Sequence, residues 1–179
     1  MPLTFLRNLG IVSSAGITTT KLGTGAVLQV VSTTSNSAQS VNTTTFTELT
    51  SLTTSITPSS ASSKILILGR VACASTVGTT NSFIQFRLRR DSTDICQGSG
   101  ASGNMVNVTA SLFTADNDVM DKQLPFVFLD SPSTTSAISY KIMGANSNAG
   151  FTINRPQSPD DNFYNGFVTS TLTLMEIAG

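Results

Sequence analysis

The sequence predicts an all-β fold: an antiparallel β-sandwich, jelly-roll-like, of eight to nine strands, preceded by an extended N-terminal arm. Three observations carry this expectation. Short apolar runs recur along the chain, separated by clusters of Gly, Asn, Ser, Pro and Asp that punctuate strands with turns. Roughly three residues in ten are Ser or Thr; β-branched Thr suits a pleated surface, and Ser and Asn suit turns. No window sustains a helical period over several turns, so helix content should be low.

The runs follow one another in order. AVLQVVS (26–32) is the first compact apolar stretch, and TTFTEL (44–49) follows it. KILILGRVACAS (64–75) and SFIQFRLRR (82–90) are the longest runs, each bounded by turn clusters. MVNVTASLFT (105–114), QLPFVFLD (123–130), SAISYKIMG (136–144) and FTINR (151–155) continue the pattern, and STLTLMEIA (170–178) ends it. Alternation assigns faces, because successive strand side chains point to opposite sides. Leu172, Leu174, Glu176 and Ala178 share one face, with Thr171, Thr173, Met175 and Ile177 on the other. Ile138, Tyr140 and Ile142 likewise oppose Ser139, Lys141 and Met143. Two partly apolar faces on the last run point to burial from both sides, either in a sandwich centre or at a subunit contact, and the run is expected to be a central strand.

Residues 1–25 lack this regularity and form the expected anchoring arm; 26–179 form the sandwich domain. Phe5, Leu6, Leu9, Ile11 and Val12 are apolar without a sustained period, apart from a short helical tendency over 4–9. Such a segment builds no core of its own and is too apolar for a solvated tail, so it should dock on another surface. Gly23 and Gly25 read as a hinge between arm and domain.

Composition narrows the function classes. Only 11% of residues are charged, balanced at ten Lys and Arg against ten Asp and Glu, which argues against a nucleic-acid partner. No apolar segment is long enough for a membrane helix, and Arg7 interrupts the short apolar N-terminus, making it a poor signal peptide. There is no histidine, which removes Ser-His-Asp and Cys-His nucleophile arrangements and the commonest metal ligand. Glu48 and Glu176 have no acidic neighbour in sequence, so no glycosidase pair is evident. The glycine-rich GSGASG (98–103) lacks the Lys-Ser/Thr and helix of a phosphate loop and reads as an ordinary loop. No catalytic residue, cofactor or metal site is expected.

The remaining polar groups have plain readings. Asp116, Asn117, Asp118 and Asp121 bring together the hard oxygen ligands calcium takes, but fail the EF-hand spacing and read as a solvated turn. SPDDN (158–162) reads as a loop tip. Arg87 and Arg89 share one strand face and are candidates for a polar partner contact, against the plainer expectation of ion pairs with Asp91 and Asp94. Cys73 and Cys96 are read as small buried residues rather than a disulfide framework.

Three segments then bring a family into view. SITPSSASSKILILGRV (55–71), LDSPSTTSAISYKIMG (129–144) and STLTLMEIAG (170–179) resemble the β-domains of tailed-phage virion proteins, with cyanophage tail fibres and capsid-surface fibres most similar. ITTTKLGTGAV (17–27) resembles the linker that precedes such domains. The resemblance implies a jelly-roll-type sandwich that assembles as a homotrimer in a virion, made in the host cytoplasm. Its expected partners are other copies of the chain and a further virion protein, either the major capsid protein or a tail or baseplate component. It supplies no catalytic residues.

The chain has no coiled-coil heptads or repeats that would form a fibre shaft, which favours compact capsid decoration or cementing over a long fibre. Phe5, Leu6, Leu9, Ile11 and Val12 would supply the virion anchor. The alternative is a short tail-fibre or receptor-binding protein recognising host surface glycan, with Tyr140 or Tyr164 and the Ser/Thr/Asn-rich loops as contacts. A depolymerase and a secreted bacterial trimer are the weaker readings.

Overall fold

The computed structural model describes residues 22–76, 81–114, 122–148, 150–156 and 166–179. Among these residues the protein is all-β, with eleven strands and no helix. The nine runs expected from sequence all carry strand: β1 (Val27–Ser35), β3 (Thr47–Ile56), β4 (Lys64–Ser75), β5 (Ser82–Arg90), β7 (Ala110–Thr114), β8 (Lys122–Asp130), β9 (Ile138–Asn146), β10 (Phe151–Ile153) and β11 (Ser170–Ile177). Two strands of three residues, β2 (Gln39–Val41) and β6 (Thr93–Ile95), raise the count above the expected eight to nine. Neither is long enough to show a period.

The strands form two antiparallel sheets in a sandwich-like arrangement. In the first, β1 pairs β11, β11 pairs β4, and β8 closes the other edge of β4; β10 also pairs β4, and β2 pairs β10. One edge of β4 is shared in sequence, by β11 along Lys64–Arg70 and by β10 along Cys73–Ser75. The second sheet runs β3-β9-β5, and the far edge of β5 is shared by β7 and β6. β11 lies between two partner strands, the central position expected of the last run. Pro125 falls in β8, an edge strand, where its missing N–H costs no ladder bond.

The core is the space between the sheets. Ile65, Ile67 and Val71 of β4 and Leu172 and Leu174 of β11 face Ile84, Phe86 and Leu88 of β5 and Ile138, Tyr140 and Ile142 of β9, all buried. Phe86 and Phe151 meet edge to face across the sandwich, with centroids 5.5 Å apart. Gly69 makes room in the middle of β4: a methyl group there would lie 2.0 Å from Cζ of Phe126, whose ring covers the glycine. Cys73 lies in this core, whereas Cys96 is only half-buried, and the two thiols are not joined.

The entry to β1 is fixed by backbone bonds. Gly25 adopts a left-handed φ of 87°, its N–H donates to Ala178 O at 2.8 Å, and Ala178 N–H donates to Ala26 O at 2.8 Å. Gly25 thus serves a turn clamped to the end of β11, rather than a free hinge. The arm residues Phe5, Leu6, Leu9, Ile11 and Val12, and the helical tendency over 4–9, lie outside the described residues.

Candidate functional site

Four regions gather the polar or exposed chemistry. The first is the outer face of β5, where alternation puts Arg87 and Arg89 on the side away from the core. Both converge on Asp94 of β6: Arg87 Nη1 lies 3.0 Å from Oδ2, and Arg89 Nε lies 2.5 Å from Oδ1. The hydrogen bond from Arg89 holds the Asp94 carboxyl below the usual carboxylate range. Arg87 also donates through Nε to Asn107 O at 3.0 Å and lies 3.7 Å over the ring of Phe46. Glu48 and Lys141 make a further pair at 3.1 Å. The arginines are therefore engaged within the chain, through Asp94 alone of the two expected acids. Asp91 instead accepts the Ser139 N–H at 3.0 Å.

A second polar group sits inside the sandwich and joins the sheets. Arg90 of β5 donates to both carboxylate oxygens of Asp130 of β8, at 2.8 and 2.7 Å, and the Tyr140 hydroxyl donates to Oδ2 at 2.6 Å. Burial pushes the Tyr140 phenol well above its ordinary range, and the Asp130 carboxylate pushes it further. Tyr140 is 0% exposed, which corrects its expected role as a sugar contact. It occupies the same inward face as Ile138 and Ile142, so the alternation that placed those two in the core applied to it as well. Tyr164, the cluster Asp116, Asn117, Asp118 and Asp121, and SPDDN lie outside the described residues. The residues 98–103 form a loop, as expected, with Gly100 and Gly103 at φ of 93° and 62°.

The third region is a groove of about 770 Å³ at the start of β5. Phe83 and Gln85 of β5 line one wall, Asn104, Met105 and Val106 of the β6–β7 connection another, and Thr44, Asn146 and Ser147 the end. Sequence reasoning missed it, because it placed Met105 and Val106 inside a strand. β7 begins only at Ala110, and the preceding residues fold across the sheet, held where Arg87 binds Asn107 O.

The outer face of the first sheet is different in character. Leu129, Leu66, Met175 and Val30 stand in register across β8, β4, β11 and β1. Val127 and Leu68 form the start of the next row, and Val127 is 65% exposed. No carboxylate stands among the outward residues of these rows. Arg70, at the border, is turned to Thr169 O at 2.9 Å and Gln123 Oε1 at 3.3 Å.

No protein-family model matches the chain, and no curated protein is significantly similar to it.

Proposed function

We propose that the protein is a non-enzymatic structural component of a tailed-phage virion, a homotrimeric jelly-roll-type β-sandwich anchored by its N-terminal arm, which decorates or cements the capsid surface. The apolar outer face of β8, β4, β11 and β1 is the observation that carries this reading. A contiguous exposed apolar surface is a mark of protein–protein contact. A face without carboxylates, with its cations at the border, meets a second copy of itself with little like-charge opposition.

Strand order supports the jelly-roll assignment. β1, β3, β4 and β5 alternate between the two sheets, and β7, β8, β9 and β11 alternate back in reverse order, as two wound Greek keys do. The phage resemblance supplies the virion location, and the apolar arm supplies the anchor.

Sedimentation of the full chain tests assembly. The expected species is three times the 18.7 kDa chain. Val127→Glu combined with Leu129→Glu should return it to a folded monomer, since both side chains already face outward. Removing residues 2–21 should leave the trimer folded and abolish attachment to particles. Electron microscopy of the intact particle should place the chain on the capsid; a monomeric wild type, or density confined to the tail, overturns the reading.

A further inference from the structure

We infer that the groove beside Phe83 is a binding site for a neutral saccharide. Its chemistry is neutral: every described residue lining it is uncharged, and the lining combines apolar side chains with amides and hydroxyls. Sugars present this pair of surfaces, C–H faces that lie on aromatic rings and hydroxyls that exchange hydrogen bonds with amides. A phosphate or a sugar acid would call for cations, and Arg87, two residues along β5 from Gln85, is already committed to Asp94, Asn107 O and the Phe46 ring.

The apolar part rests on Phe83, whose ring is backed by Phe113 just beyond the groove's lining. Phe83 and Phe113 stand opposite each other on β5 and β7, with ring centroids 5.1 Å apart, and are 47% and 48% exposed. Two large rings left in solvent on one sheet face offer a rigid platform that loses little conformational entropy on binding. Met105, 63% exposed, adds an adaptable wall.

The polar part is held in place before any ligand arrives. Asn146 is buried, and its Oδ1 accepts the Thr43 N–H at 2.9 Å. That bond orients the amide, whose Nδ2 has no acceptor among the described residues. Phe83 and Ser147 exchange two bonds: Phe83 N–H donates to Ser147 Oγ at 2.9 Å, and Ser147 N–H donates to Phe83 O at 3.0 Å. The Ser147 hydroxyl proton is left to donate outward. The side chains of Gln85 and Asn104 have no hydrogen-bond partner among the described residues, so both amides can serve a ligand. The volume lies within the range of small-ligand sites, roughly 300–1,000 Å³.

The inference stands apart from the virion reading, since a decoration protein and a free adhesin would use the same groove. The test is an array of neutral and acidic oligosaccharides probed with the full-length protein, followed by calorimetry on the best neutral hit. Phe83→Ala and Gln85→Ala should each weaken binding about tenfold or more while leaving the thermal midpoint in place. A second readout is local: of the five methionines, the Met105 methyl resonance should shift on titration with that saccharide, and those of the buried Met143 and of Met175 should not. Absence of any neutral binder, binding confined to acidic glycans, or binding that both variants and the Met105 signal ignore would overturn the proposal.

Discussion

The Ser170 hydroxyl donates to Asn154 Oδ1 at 2.5 Å, joining the first residue of β11 to the residue just beyond β10. This is the point where β10 and β11 share the edge of β4. Ser170 Oγ also accepts the Ala72 N–H at 2.9 Å, and Asn154 N–H donates to Ala72 O at 3.0 Å. Asn154 Nδ2 reaches Ser37 O at 2.9 Å and Ser35 Oγ at 3.2 Å, between β1 and β2. One amide and one hydroxyl thus satisfy the backbone where two strands change over. Asn154 holds φ of 62°, a left-handed conformation that Asn tolerates better than most residues.

Ser170→Ala leaves buried backbone and amide groups unpaired and should cost about 1–3 kcal/mol in urea unfolding. Asn154→Ala should cost more, because it loses the same bond, two others and the left-handed tolerance. Asn154→Gly should fall between them, restoring the backbone but none of the side-chain bonds. An equal loss in all three variants would show that the changeover is not held by this pair.

Gly69→Ala puts a methyl group into the space of the Phe126 ring. The expected cost is about 1–3 kcal/mol, typical of an overfilled core. Phe126→Leu on the Gly69→Ala background should recover part of it, because the smaller side chain vacates that space. Equal stability of Gly69→Ala and the parent in a denaturant titration would refute the packing.

Tyr140 should resist ionisation through the pH range where a free phenol titrates, near 10. Its folded pKa is raised, so the stability it contributes is complete below the unfolded value and is lost as pH rises beyond that. Phenolate absorbance should therefore appear for Tyr140 only with unfolding. Asp130→Asn should bring that transition to lower pH by leaving Arg90 without its carboxylate, with a loss near neutral pH of about 1.5–3 kcal/mol.

Glu176 predicts the acid limb. It is buried on the inner face of β11, where Gln29 Nε2 donates to it at 2.6 Å and the Ser59 N–H and hydroxyl each donate at 2.7 Å. Burial alone would raise its pKa, but the Ser59 and Gln29 donors outweigh it and hold the carboxyl below its usual value. Its stabilisation is present above the unfolded pKa and is lost as pH falls through the folded one. Wild-type thermal midpoints should fall steeply below about pH 4, and Glu176→Gln should flatten that fall; parallel curves would exclude the role.

Much of the fold was legible because period-2 alternation is a local property. β4 and β5 carry the full bounds expected of them, since Ile65, Ile67, Ile84, Phe86 and Leu88 alternate with polar or smaller residues between clear turn clusters. β2 and β6 were not legible, being three residues each and defined by their partners. The candidate site was read less well. Arg87 and Arg89 were located correctly on one face, yet their shared dependence on Asp94 and the Phe46 contact depend on how chain ends fold back.

By itself the sequence determined the class, the strand-rich runs and which side chains face inward, because a strand’s two faces are set by residue parity. Only the tertiary structure decided which strands became neighbours. Asp130 meets Arg90 and Tyr140 from a different sheet, and Thr44, Gln85, Asn104 and Asn146 come together around one groove. Those meetings rest on pairing between residues tens of positions apart, and no local pattern encodes the distance across a sandwich.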